Sequence, residues 1–152
     1  MVLTLSQIAN LELLRMSKSI LYRLFGIGKI PQSYDAPLKS EGVILSDEGL
    51  KGSVTYLDFR APGKYSNWRR QWFIASIALT KTRLLAFRLS SPIIDVPITD
   101  ERFRQLNFSL ENAETLLVAF DASLFHNDWS GNIEYRFKTP TAQGFLDKLS
   151  KY

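Results

Sequence analysis

The sequence contains no cysteine and a single histidine, His126. The first absence excludes disulfides, thiolate metal sites, cysteine nucleophiles and thiol redox chemistry. The second leaves too few imidazoles for a multi-histidine metal centre within one chain. The sequence also lacks the run of about 18 apolar residues that is needed to span a bilayer. Met1–Asn10 has no basic region of the kind that begins a secretory signal, so we expect a cytoplasmic protein, with peripheral membrane association left open.

The remaining polar residues form no recognisable catalytic set. His126 lies in a polar loop with Ser123 and Asp128, but no nucleophile-elbow sequence surrounds them. The pair Gly26 and Gly28 follows no strand and has no third glycine in phase, so it is not a dinucleotide-binding loop. The sequence therefore predicts a protein that is not an enzyme and that uses no metal or cofactor.

The composition is that of a folded domain with one strongly basic segment. With 152 residues, of which 45% are hydrophobic and 22% charged, the chain fits a single core. No acidic residue lies between Asp58 and Asp95, whereas seven basic residues do: Arg60, Lys64, Arg69, Arg70, Lys81, Arg83 and Arg88. Such a segment either faces a polyanion or only solvates exposed strand faces, and both interpretations stay open.

The N-terminal residues 1–28 have the pattern of an amphipathic helix. Leu13, Ile20 and Leu24 lie on one apolar face, and basic residues occupy the opposite side. Two glycines end the helix, and the following segment 29–49, which contains two prolines, is predicted as a linker. The apolar face would pack against the chain's own domain, a second copy or a membrane.

From about residue 50 the apolar period changes from 3.6 to 2. Seven segments alternate in this way and are predicted strands: Ser53–Arg60, Trp72–Thr80, Arg83–Leu89, Ile93–Ile98, Leu106–Leu110, Leu116–Phe120 and Ile133–Phe137. Because the turns between them are too short for crossover helices, the strands should be antiparallel. A final helix at 140–151 has one apolar face and would cover one end of the sheet. The domain 50–152 is therefore predicted as mainly β, or α+β by element count: a seven-stranded, partly open barrel or two-sheet sandwich capped by a C-terminal helix.

The predicted first hairpin resembles that of pleckstrin-homology-like (PH-like) domains, in the sequence Lys64-Tyr65-Ser66-Asn67-Trp68-Arg69-Arg70-Gln71-Trp72-Phe73-Ile74, followed by Leu84-Leu85-Ala86-Phe87. In that family a lysine, then Trp-Lys/Arg-Arg-x-Trp-Phe, leads from the first loop into the second strand. The end of the chain, from Phe137-Lys138-Thr139-Pro140 onward, is similar to the family's last strand and capping helix. The resemblance covers about residues 50–150 and implies seven strands in two near-orthogonal sheets, capped at one corner by the helix.

Two positions depart from the family's pattern. Phosphoinositide-binding members usually have a second basic residue two positions after the first in the second strand, whereas here Arg69 is followed by Gln71. Many members have a tryptophan in the capping helix where this chain has Phe145. The first departure lowers the expectation of tight inositol-phosphate recognition. The second is similar to what more divergent members show, including bacterial ones.

A site for an anionic headgroup needs several converging cations. The candidates are the basic side chains of the hairpin and the next strand: Lys64, Arg69, Arg70, Arg83 and Arg88. Because neighbours on a strand alternate sides, Arg69 and Arg70 cannot both face one ligand, and we favour Arg70, which is in phase with Trp72 and with the polar face of Arg88. Trp68 is the candidate for contact with a lipid interface, although both tryptophans also fit hydrophobic packing.

The leading hypothesis is a non-catalytic binding module that docks at anionic phospholipid surfaces through the basic hairpin. Leu13, Ile20 and Leu24 of the N-terminal helix would add membrane or partner contact. The alternative is a protein-interaction or homo-oligomerisation module that uses the same scaffold without lipid, through the N-terminal helix or an exposed sheet edge. Nucleic acid is the least favoured partner, because the aromatic positions alternate into the apparent core.

Overall fold

The computed structural model describes residues 4–6 and 26–152. The predicted N-terminal amphipathic helix lies almost entirely outside these ranges, and with it the three candidate contact residues Leu13, Ile20 and Leu24. Within the two ranges, no helix has both the length and the apolar character needed to cross a membrane.

Eight strands and three α-helices form the described part of the chain. The strands are β1 (Val43–Ala61), β2 (Lys64–Ser66), β3 (Arg69–Thr80), β4 (Arg83–Arg88), β5 (Ser91–Pro97), β6 (Asn107–Asn112), β7 (Thr115–Asp121) and β8 (Ser130–Lys138). The helices are α1 (Asp35–Glu41), α2 (Glu101–Arg104) and α3 (Ala142–Leu149), with 3-10 turns at Gln32–Tyr34 and Ala122–Leu124. All seven predicted strands are present. The additional strand is β2, which is too short to show an alternating pattern.

The strands form one antiparallel sheet in the order β5-β4-β3-β1-β8-β7-β6, with β2 paired to β1. The central strand β1 is 19 residues long. This length lets it pair with β3 through residues 43–56 and with β8 through residues 51–60. One outer strand of this order is β5, where Pro92 and Pro97 cannot donate ladder hydrogen bonds, as expected of an edge strand.

The inner face of the sheet forms the main core. Buried side chains from both arms, such as Ile77 on β3 and Val118 on β7, belong to one cluster, so the sheet curls around them. The predicted C-terminal helix is present as α3, which packs against β6 and β7 and buries Phe145. It begins at Ala142 rather than at residue 140, and the hydroxyl of Thr139, which directly follows β8, donates a 2.7 Å hydrogen bond to Asp47 of β1.

The segment 29–49, predicted as a linker, contains α1 and the beginning of β1. Leu38 of α1 covers a second buried cluster on the outer face of β3 and β4, formed by Ala78, Leu85 and Phe87. Pro37 is compatible with the helix because it is the third residue of α1, where the backbone N–H has no acceptor within the helix. Packed structure therefore extends back at least to Ile30, which contacts the same cluster.

Candidate functional site

The basic hairpin from β1 to β3 is shaped by two unusual backbone positions. Asp58 has a φ of 46° and Trp68 a φ of 56°, both in the left-handed region that non-glycine residues seldom adopt. The side-chain oxygen of Asn67 accepts a 2.9 Å hydrogen bond from the backbone N–H of Asp58, which links the two positions. Gly131 of β8 lies so close to the carbonyl of Asp58 that a side chain would not fit there. Backbone strain of this kind is concentrated at functional sites.

Strand alternation places Lys64, Arg69 and Arg88 on the inner face at this end of the sheet, and we call these three residues the mouth cluster. Arg69 is the cross-strand partner of Tyr56 and shares its face. The ammonium nitrogen of Lys64 lies 5.5 Å from the centre of the Tyr56 ring. Arg88 is the partner of the buried Ala75 and therefore also faces inward.

Neutral groups surround Arg88. Its guanidinium donates a 3.3 Å hydrogen bond to the side-chain oxygen of Gln71 and lies 5.2 Å from the centre of the Phe73 ring. Burial raises the pKa of Tyr135 strongly; the nearby Tyr56 adds to this shift, and Arg88 opposes it. Tyr135 is the cross-strand partner of the buried Val54, so it lies on the same inner face, and its ring centre is 6.2 Å from that of Phe73.

The mouth cluster carries three positive charges. In the described part of the chain, none of the three side chains has an acidic side chain within ion-pair distance. Lys64 and Arg69 are exposed to solvent, and Arg88 is half-buried. The cluster is thus suited to attract an anion.

The structure does not bring Arg83, which the sequence grouped with the other candidate cations, to the mouth cluster. Its Nε lies 3.0 Å from the carboxylate of Glu41, and its Nη1 lies 3.2 Å from that of Asp95. Burial opposes the charge, but the hydrogen bond to Glu41 and the attraction of Asp95 outweigh it and raise the pKa of Arg83. Arg83 stands at the other end of β4 from Arg88 and on the opposite face.

The structure also places Arg69, and not Arg70 as the sequence suggested, on the face of Arg88. Arg69, Gln71 and Phe73 alternate onto the face of Arg88, whereas Arg70 points to the outer face. There its Nε donates a 3.2 Å hydrogen bond to the hydroxyl of Thr55. The five predicted cations are therefore divided among three places instead of sharing one rim.

The aromatic side chains of the hairpin are exposed. Trp68 is 77% exposed, Trp72 is 70% exposed, and Tyr65 is 56% exposed. Hydrophobic packing, the alternative left open for both tryptophans, is therefore not their role. Arg60, which sequence reasoning did not select, lies 4.9 Å from the centre of the Tyr65 ring and adds a cation at the tip of the hairpin.

An apolar cavity of about 220 Å³ lies beside Tyr135 and is lined mainly by aromatic residues, among them Phe120, Phe125 and Trp129. The ring of His126 stacks on that of Trp129 with 3.6 Å between centres. Among the residues that the structure describes, no group of three or more side chains could hold a metal ion. The lone histidine thus has a packing partner at the entrance of an apolar cavity.

Sequence reasoning missed a second basic surface, on the outer face of the sheet. It consists of Lys51, Arg136 and Lys138 next to Arg70 and Trp72. Each of these residues occupies an outward position on its own strand, but only the pairing of β1 with β3 and β8 brings them together. A scan of protein-family models finds no match to the chain, and a search of curated proteins finds none either.

Proposed function

We propose that the protein is a non-catalytic binding module with PH-like architecture that docks at anionic membrane surfaces through the mouth cluster and Trp68. The observation that carries this proposal is the position of three cations that have no acidic partner among the described residues, one of which, Arg69, directly follows a tryptophan that is 77% exposed. The partner class is an anionic phospholipid surface.

The fold supports the proposal. Seven main antiparallel strands, a sheet that curls around the main core and a C-terminal helix packed on two strands are elements that the resemblance also implies. Two members of the mouth cluster belong to the family-like hairpin. Lys64 is the first residue of the short strand β2, and Arg69 is the first residue of β3. The third member, Arg88, is the last residue of β4 and lies on the same face of the sheet.

The expected strength of the contact follows from the charges. A basic residue near an anionic leaflet contributes about 1 kcal/mol, so the three cations together supply about 3 kcal/mol. This is too little for stable attachment, and a second signal is needed. Trp68 provides it, because an exposed indole is well placed at the level of the lipid headgroups. Docking should therefore be reversible and should weaken as salt is raised.

Vesicle co-sedimentation of the full chain tests the proposal. At low salt the protein should bind phosphatidylcholine vesicles that contain phosphatidylserine and should not bind phosphatidylcholine alone. The variant Lys64→Gln/Arg69→Gln/Arg88→Gln should lose this binding. The control Lys39→Gln/Lys148→Gln/Lys151→Gln removes the same charge from exposed positions elsewhere and should keep most of it.

Tryptophan fluorescence gives an independent reading of the geometry. Anionic vesicles should shift the emission of the wild type to shorter wavelength, since the indole of Trp68 leaves water. The shift should disappear in Trp68→Phe and persist in Trp72→Phe, whose indole lies on the outer face. Equal loss of binding in both triple variants, or a shift that does not depend on Trp68, would contradict the proposed orientation.

A further inference from the structure

A groove of about 330 Å³ crosses the outer face of the sheet, opposite the mouth cluster. Three neighbouring strands supply most of its lining, and we call it the outer groove: Lys51 and Ser53 of β1, Arg70 and Trp72 of β3, Arg136 and Lys138 of β8. In the register of the sheet, Ser53 lies directly between Trp72 and Arg136. The volume is at the lower end of the range for small-molecule sites.

The hydroxyl of Ser53 lies at the base of the outer groove. The residue is fully buried, and its Oγ has no hydrogen-bond partner in the described part of the chain. Folded proteins pair nearly all of their buried polar groups, so an unpaired hydroxyl in a groove calls for an explanation. A ligand that accepts a hydrogen bond from Ser53 provides one. The neighbouring Trp72 ring is largely exposed and can turn aside without losing much buried area.

Two lysines repel each other in the outer groove. Lys51 and Lys138 are directly opposed cross-strand partners, which places their Cβ atoms about 5 Å apart on the same face. Both side chains are exposed, and neither is paired with a carboxylate among the described residues. Like charges in this arrangement destabilise a sheet unless an anion lies between them.

Arg70 and Arg136 converge on the same oxygen from either side. The hydroxyl of Thr55 accepts a 3.2 Å hydrogen bond from Arg70 Nε and a 3.1 Å bond from Arg136 Nη1. The two terminal nitrogens of Arg70 make no hydrogen bond to the described residues, so they stay available for a bidentate contact with an oxyanion.

Arg136 differs from Arg70 because its charge is already balanced. It donates 2.8 Å hydrogen bonds to Glu111 and to Glu134. Burial opposes the charge, but these two carboxylates outweigh it and raise the pKa of Arg136. Glu111 also lines the outer groove and offsets the charge of Arg136, so the positive charge available to a ligand comes from Lys51, Arg70 and Lys138.

We propose that the outer groove binds a small, soluble phosphate monoester that carries a planar ring. The phosphate accepts hydrogen bonds from Arg70 and the Ser53 hydroxyl and lies between Lys51 and Lys138, which removes the repulsion of the two lysines. The ring stacks on the exposed indole of Trp72. This site is separate from the mouth cluster and does not depend on the membrane-docking proposal.

Calorimetric titration of the full chain tests the site with three probes: adenosine monophosphate, ribose 5-phosphate and adenosine. Adenosine monophosphate should bind most tightly, ribose 5-phosphate more weakly, and adenosine not measurably. Arg70→Gln should weaken adenosine monophosphate about tenfold, the value of one charge-assisted contact. Trp72→Leu should reduce adenosine monophosphate to the level of ribose 5-phosphate and leave the latter unchanged.

Ser53→Ala has a matched control in Ser76→Ala. Both hydroxyls are buried and unpaired in the described structure, but Ser76 does not line the outer groove. Neither substitution should lower stability, because each removes an unsatisfied polar group. Only Ser53→Ala should weaken the two phosphorylated probes. Equal effects of both substitutions, or none of either, would overturn the proposal.

Two further outcomes would overturn it. One is that adenosine binds as well as adenosine monophosphate, which would mean that the phosphate contributes nothing. The other is that Lys51→Gln/Lys138→Gln reduces binding to phosphatidylserine vesicles more than Lys39→Gln/Lys148→Gln does, which would assign the outer groove to lipid instead of a soluble ligand. Equal vesicle binding by these two variants, with adenosine monophosphate lost only in the first, supports the site.

Discussion

Arg83 and Arg88 stand at the two ends of β4 and have opposite surroundings. Arg83 lies between Glu41 and Asp95 on the outer face, next to the cluster that α1 covers. Arg88 lies on the inner face and contacts the neutral Gln71 and the ring of Phe73. Arg83 therefore stabilises the fold through its two carboxylate partners, whereas Arg88 can attract an anionic ligand.

The difference shows that a basic segment in a sequence does not translate directly into a basic surface. Seven basic residues lie between Asp58 and Asp95, but Arg83 is balanced by carboxylates from outside the β3–β4 hairpin. The electric field of the protein is therefore set by those cations that the fold leaves without partners. Substitution of Arg83 should therefore change stability, whereas substitution of Arg88 should change binding.

The largest expected effect is on stability at the outer face of β4, which Phe87 shares with Arg83. Phe87 is fully buried beneath α1, and its ring lies 4.9 Å from that of Tyr34 in an edge-to-face arrangement. Phe87→Ala should lower the free energy of unfolding by about 4 kcal/mol, because it opens a cavity in the second cluster. Chemical denaturation measures this. Trp68→Ala, in the basic hairpin, should change stability by less than about 0.5 kcal/mol, and a comparable loss in both variants would remove the contrast.

Exchanging the two arginines for glutamine sharpens the comparison within one strand. Arg83→Gln should cost about 1 kcal/mol of stability, since Glu41 and Asp95 lose a partly buried partner, and should leave vesicle binding unchanged. Arg88→Gln should leave stability within about 0.5 kcal/mol and weaken binding to phosphatidylserine vesicles about fivefold. Denaturation and co-sedimentation of both variants check the pair. The reverse assignment of effects would contradict the division of roles.

The smallest effect is expected at a carboxylate away from both ends of β4. Asp121 accepts hydrogen bonds from the Ser123 hydroxyl (2.6 Å) and backbone N–H (2.8 Å). Both lower the pKa of Asp121, so its contribution to stability is present above the unfolded value near 4 and is lost as pH falls through the lower folded value. Asp121→Ala should lose about 0.5 kcal/mol at pH 7. Wild type and variant should converge in acid, as denaturation at a series of pH values can show.

The strands were predictable because burial follows a simple period. Phe73, Ala75, Ile77 and Leu79 alternate along β3 and all face the core cluster. The beginning of β1 was not predicted, because a polar run from Ser46 to Gly49 interrupts the alternation where the pairing of β1 with β3 is irregular. Helix α1 was not predicted, because seven residues with an internal proline are too few to show a helical period.

The sequence predicted the site only where its residues lie close to one another in the chain. Lys64 and Arg69 belong to one hairpin, and the family-like motif indicated both. The partners of Arg83 and the outer groove depend on pairing between distant segments, as with Lys51 and Lys138, which meet only because β1 pairs with β8. Alternation within one strand indicates which face a residue occupies, but not which residue of another strand will pair with it.

The central position of β1 also has a consequence for how the chain is made. One side of β1 pairs with β3, which follows within the same hairpin, but the other side pairs with β8, up to residue 138. During synthesis the first arm of the sheet can therefore assemble while the second side of β1 is still an open edge. Such edges recruit other strands, and long-range pairing is slow. The nascent chain is most prone to aggregation in the interval between the completion of β5 and the arrival of β8.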